Sequence, residues 1–237
     1  MNAYAITLLV TVIEMSSMGQ VEAQPDHAVL VGPERPAWVV DGVPDTVWLL
    51  VEESARTPDP DRMKALLLEA EDHARAALVE HEADVGRRFA LAVVLGMRAN
   101  REGGQTRVQA AASLHDELEV ILDIDPDHAR ARHMMGRLHA GVRRMNRVSR
   151  WLATNLLGGG TLKKATWEEA ERNLSFAETW APEVPDHHLQ LARLYQDTGR
   201  PDLAAEEILH VLEIDAGSPM ELEARAEALA LWSALGS

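Results

Sequence analysis

Three groups of apolar residues recur at fixed distances through the second half of the chain, and this recurrence constrains the fold more than any other feature. Ala170, Leu174 and Ala177 stand 34 residues before Ala204, Ile208 and Val211. Within each group the spacing is that of one face of an α-helix. Leu114, Leu118 and Ile121 lie 56 residues before the first of these groups, and Pro126 to Pro182 and Gly136 to Ala192 are also 56 apart. Since 56 is 34 plus 22, the middle copy has its ordinary parts with 22 extra residues between its two helices. A chain with such a period is a stack of helical hairpins, each burying its apolar face against the next.

Apolar periodicity broken by Gly, Pro and Asp predicts helices near 61–81, 84–100, 105–124, 127–145, 166–180, 186–198, 201–214 and 220–235. Thr166 with Glu169, and Ser218 with Glu221 behind Pro219, have the spacing of capping boxes. Gly199 is placed to close one helix and Pro201 to open the next. Leu191, Ala192, Tyr195, Gly199, Ala204, Ile208 and Val211 stand at the offsets of the tetratricopeptide repeat, and residues 84–235 resemble that superfamily. The implied fold is all-α: a solenoid of about three tetratricopeptide-type helical hairpins with flanking helices, carrying a basic amphipathic insertion at about 143–165 in the middle repeat. Gly136, Ala170, Ala192 and Ala204 are small enough to let helices approach closely. The final helix is expected to be a solvated cap with Leu222 and Leu229 together on one side.

The stretch from His133 to Arg200 also looks like the regulator-of-microtubule-dynamics family and its bacterial relatives. It has Gly136-Arg137 in a first helix, Trp151 in an inserted segment, and Trp167-Glu168-Glu169-Ala170 opening the next helix. The resemblance implies a helical fold and a protein-binding role, with no catalytic residues to transfer. Animal members are associated with microtubules and organelle membranes, a function that does not follow for this chain.

Residues 1–23 read as a signal peptide or disordered leader. The apolar run from Ala5 to Ile13 is far too short to span a bilayer, and Val21-Glu22-Ala23 offers small residues for cleavage. Against this, no Lys or Arg precedes the run and Glu14 interrupts its end. Residues 24–60 contain six prolines and read as an extended arm with one short helix. Trp38, Val39, Val40, Val47, Trp48, Leu49 and Leu50 would pack it along the main domain, residues 61–237.

Several chemistries can be weighed on spacing alone. The Gly158-Gly159-Gly160-Thr161 stretch lacks the Gly-Lys-Ser/Thr of a phosphate-cradling loop; it reads as a turn within the insertion. With no cysteine there is no thiolate nucleophile or thiolate metal site. The ten histidines include no His-Glu-x-x-His; His133 and His139 are six apart, and the adjacent His187 and His188 diverge, so they read as structural or solvated, and no metal or cofactor is expected. From Asp123 the chain mimics a calcium loop but has His128 and Met134 where that loop needs glycine and glutamate. The internal His-Asp-Glu-Leu at 115–118 cannot act as a C-terminal retention signal, and no Gly-x-Ser-x-Gly elbow is present. Nothing in the pattern argues for an enzyme.

Charge adds the most beyond the repeat. Residues 129–165 hold no Asp or Glu but seven arginines and two lysines, so they carry +9 and the other 200 residues carry −24, giving the net −15. Val148, Trp151, Leu152 and Leu156 recur at helical spacing there, flanked by Arg143, Arg144, Arg147 and Arg150, predicting a basic amphipathic helix near 147–157. Three readings stay open. The stripe packs on adjacent repeats while the arginines pair with the chain's own acidic helices. Alternatively Arg130, His133 and Arg137, with Arg193 on the corresponding later helix, line a concave groove for an acidic peptide. Or the helix lies on an anionic membrane surface. The excess acid elsewhere disfavours nucleic acid. The Lys and Asn clamp by which some tetratricopeptide proteins hold C-terminal carboxylates is absent at these positions, where Leu189 and Arg193 follow. The expectation is a non-catalytic protein-binding scaffold, exported (periplasmic or extracellular) if the leader is a signal peptide and cytoplasmic otherwise, with a peripheral membrane protein as the alternative.

Overall fold

A computed structural model describes residues 42–215, 217 and 219–235, which form ten α-helices, one 3₁₀ helix and no strand. The fold is all-α. The expected leader, Trp38, Val39, Val40 and Ser218 lie outside the described residues. The chain divides into two compact units at Arg101/Glu102.

The first unit contains α1 (Asp45–Arg56), α2 (Pro60–Leu78) and α3 (Val85–Arg101). The described part of the expected arm is therefore largely helical. None of its prolines falls between Pro44 and Pro58, so a 12-residue helix meets no missing donor. α1 packs on α2 and buries Val47, Trp48 and Val51, while Leu49 is exposed. The Asp59 carboxylate accepts from the amides of Asp61 and Arg62, and Pro60 follows at the first position of α2. Between α2 and α3 the largely buried Glu71 carboxylate is shared by Arg98 and Arg75.

The second unit contains α4 (Gly104–Ile124), α5 (Ala129–Arg144), α6 (Arg147–Asn155), a 3₁₀ turn (Thr161–Lys164), α7 (Trp167–Trp180), α8 (Pro185–Asp197), α9 (Pro201–Glu213) and α10 (Pro219–Leu235). α5 pairs with α7 and α8 with α9, so the inserted residues lie between the two helices of one hairpin. All nine recurrent positions on α4, α7 and α9 are buried. Gly136 makes the α5–α7 approach possible: a Cβ there would lie 2.7 Å from Leu174 Cγ and 3.0 Å from the Ala170 carbonyl oxygen. α8 ends in the reciprocal pattern of a left-handed cap. Gly199, at φ +73°, donates to Gln196, and Arg200 donates to Tyr195.

Two local expectations change. Thr166 Oγ1 accepts from the Glu169 amide at 3.0 Å, but the Glu169 carboxylate turns to Arg172 instead of completing the box. On α10 the packed side is Ala224 and Ala228, with Leu231 and Leu235 beside the core, leaving Leu222 and Leu229 exposed. The smaller alanines let α10 lie close to α9, where Ile208 and Val211 fill the space between them.

Candidate functional site

The sequence proposed two basic surfaces, and the structure treats them differently. On α5, His133 and Arg137 are 5% and 2% exposed and face α8. Their partner is Asp186, in the first turn of α8, where a helix N-terminus also favours negative charge. Asp186 Oδ2 accepts from Arg137 Nη1 at 2.9 Å and from His133 Nε2 at 3.0 Å, and Oδ1 accepts from Gln190 Nε2 at 2.8 Å. His133 Nδ1 lies 2.9 Å from His187 Nδ1. One assignment satisfies every pair: neutral His133 donates to Asp186 through Nε2 and accepts the Nδ1 proton of neutral His187.

The electrostatics agree with that assignment. Burial alone would raise the Asp186 carboxyl, but Arg137 and the hydrogen bonds from His133 and Gln190 outweigh it and hold it well below the carboxylate range. Burial lowers His133, and lowers His187 to about 3, with His133 and Arg137 adding to the latter shift. The acid expected from a partner is thus supplied by this chain. Arg193 pairs with Glu227 of α10, and Arg130 is half-buried on α5. Pro185-Asp186 at a helix start was the only local signal for this network; its other members come from a different helix and reveal themselves only on packing.

The insertion behaves in the opposite way. Asn146 caps α6 by accepting from the Ser149 amide at 2.9 Å. Two small residues, Ala153 and Thr154, form its buried face. Gly158, at φ +89°, turns the chain back, and the Gly159 amide donates to the Ala153 carbonyl. A Cβ on Gly159 would come within 2.7 Å of both that oxygen and Val108 Cγ1 on α4. The Gly-rich stretch is therefore a packed turn with no room for a Cβ at Gly159. The large stripe points outward: Val148, Trp151, Leu152 and Leu156 are 69%, 55%, 38% and 61% exposed. Packing of this stripe on adjacent repeats, one of the three readings, does not occur.

The arginines divide. Arg144 pairs with Asp197 at 2.6 Å, Arg150 donates to the Arg143 and Met145 carbonyls, and Arg143 is half-buried. Lys164 pairs with Glu119. Arg147 is exposed at the start of α6 and makes no ion pair among the described residues.

Residues 47–236, which include both surfaces, match the family of Regulator of microtubule dynamics protein 1-3. The chain belongs to that family. No curated protein matches it. The matched region takes in α5 with its Gly136-Arg137, the whole of α6, and the Trp167 opening of α7, so the inserted helix lies within the family region.

Proposed function

We propose that this member of the regulator-of-microtubule-dynamics family is a non-catalytic helical scaffold of the tetratricopeptide type that docks a partner protein through α6. One observation carries the reading: three large apolar side chains on a nine-residue helix, and a fourth at its C-cap, face solvent beside Arg147. At roughly 25 cal/mol per Å² of apolar surface, covering them would favour binding, and buried aromatic and arginine anchors commonly dominate such interfaces. The complementary surface is an apolar cleft edged by a carboxylate that meets Arg147. The internal pairing of His133, Arg137 and Arg193 moves the expected recognition role from the α5 face to the insertion.

A second reading draws on the same helix. Trp151 beside Arg147 is a composition suited to the interface of an anionic bilayer. No helix among the described residues is long and apolar enough to cross a membrane, so contact through these residues would be peripheral. Purified chain and a Trp151→Ser/Leu156→Ser variant, each shown by circular dichroism to be folded, are offered to cell lysate and to vesicles of phosphatidylcholine with phosphatidylserine. Capture of a defined protein by the parent alone supports the scaffold. Sedimentation of the parent alone with the anionic vesicles supports the peripheral reading. Equal behaviour of parent and variant in both arms removes α6 from the account.

A further inference from the structure

Apart from the Asp186 network, α8 and α9 bring together a second group of ionisable side chains. His188, in the first half of α8, is almost fully buried, and its Nε2 lies 2.8 Å from the Pro182 carbonyl oxygen. A carbonyl only accepts, so Nε2 carries the proton and donates. In neutral His188 the Nδ1 lone pair then faces Glu207 Oε2 at 2.8 Å. Two acceptors at that distance repel unless a positive charge lies between them. A second ring proton is one such charge, and a metal ion is the other.

A third ligand makes the second possibility specific. His210 is one turn beyond Glu207 on α9, its Nδ1 is 4.0 Å from Glu207 Oε2, and one ligand atom from each of His188, Glu207 and His210 falls within 4.8 Å of the others. Metal–ligand bonds of about 2.0–2.1 Å in a tetrahedron place ligand atoms roughly 3.4 Å apart, between the two distances seen here. Anchoring of the distant ring nitrogen on a backbone carbonyl is also how metal-binding imidazoles are oriented. The two rings meet at 80° and 5.1 Å between centroids, and His210 is exposed, leaving an entry path and a free fourth position.

We propose that His188 Nδ1, Glu207 and His210 Nδ1 form a binding site for a divalent transition ion, zinc foremost, which clamps α8 to α9. Two imidazoles and a carboxylate with one open position suit that ion, whereas calcium and magnesium prefer sites made of oxygen. The other group of this kind among the described residues, His115, Asp116 and Glu119, differs in that Lys164 Nζ already engages both Glu119 oxygens, at 2.6 and 2.7 Å. His188 and His210 thus gain a role beyond the structural or solvated one expected of the histidines.

The test uses the full chain stripped with chelator, titrated with zinc chloride by calorimetry, with thermal unfolding followed in parallel. The site predicts one zinc per chain and a Tm raised by several degrees at saturating zinc. His210→Ala, at an exposed position, and Glu207→Gln are expected each to weaken zinc binding at least tenfold and abolish the rise, while His81→Ala and Glu119→Gln keep both. Changing His188 is avoided because its burial confounds folding with binding. Absence of stoichiometric binding overturns the proposal. So does a full zinc response in both the His210→Ala and Glu207→Gln variants, or loss of the response only in Glu119→Gln.

Discussion

Asp186 shows how a buried charge becomes structural when its partners are also buried. Arg137 and Asp186 neutralise each other out of contact with water, and His133 and Gln190 occupy the remaining carboxylate positions. Removing only one ion leaves the other uncompensated, so Asp186→Ala is expected to lose about 3–5 kcal/mol in urea unfolding. An Asp186→Leu/Arg137→Met double variant should lose less than Asp186→Ala alone. A loss in the double variant equal to the sum of the Asp186→Ala and Arg137→Met losses would mean that the pair is not coupled. His139 tests burial without a partner. Its two ring nitrogens are buried, hydrogen-bond to nothing among the described residues, and lie among His115, Glu119 and Arg172, and burial with His115 lowers it to about 4. The unfolded chain takes up this proton near pH 6.5. Stability should thus fall as pH drops from 6.5 towards 4, because the unfolded state binds the proton first. His139→Leu should remove about 2 kcal/mol of the stability difference between pH 7 and pH 5. An unchanged difference would contradict the burial account. None of these pairings was legible beforehand, since Arg137 and Asp186 are 49 positions apart and only the packing of α5 on α8 brings them together.

At the scale of elements, the sequence was far more informative. Periodicity placed the described helices of the second unit to within two residues at most ends, because small and apolar residues at repeat spacing must be buried together. Gly136 is the clearest case: its role in close helix approach was readable from its place in the repeat, and Leu174 now lies where a Cβ would go. Gly136→Ala gains roughly 1 kcal/mol in helix propensity yet crowds Leu174 and the Ala170 carbonyl. A net loss of about 1–2 kcal/mol is expected, and it should shrink when Leu174→Ala accompanies it. A stabilised single variant would show that α5 and α7 can part without cost. The insertion was legible as a helix, but its direction was not. The periodicity of Val148, Trp151, Leu152 and Leu156 marks one face of α6 without saying which side meets protein. The structure turns the opposite side inward: Ala153 and Thr154 are buried, and Gly159 packs without a Cβ against the Ala153 carbonyl and Val108.

Charge and exposure combine at the scale of the molecule. Residues 129–165 carry +9 in a chain of net −15, yet Arg137, Arg144 and Lys164 all pair with acids of this chain. The segregation seen in the sequence is therefore partly cancelled by folding. What remains outward on α6 is Arg147 and the apolar stripe. A stripe that serves binding and not folding can be removed at little cost: Trp151→Ser/Leu156→Ser is expected to change unfolding free energy by less than about 1 kcal/mol. A larger loss in urea unfolding would show that the face packs internally. The most direct test places a photo-crosslinking amino acid at Trp151 in the full chain, inside the cells that make it, with the same group at the exposed Glu206 as control. The account predicts a discrete protein adduct from position 151 that is absent from position 206. The same adduct from both positions, or none from 151, would contradict it.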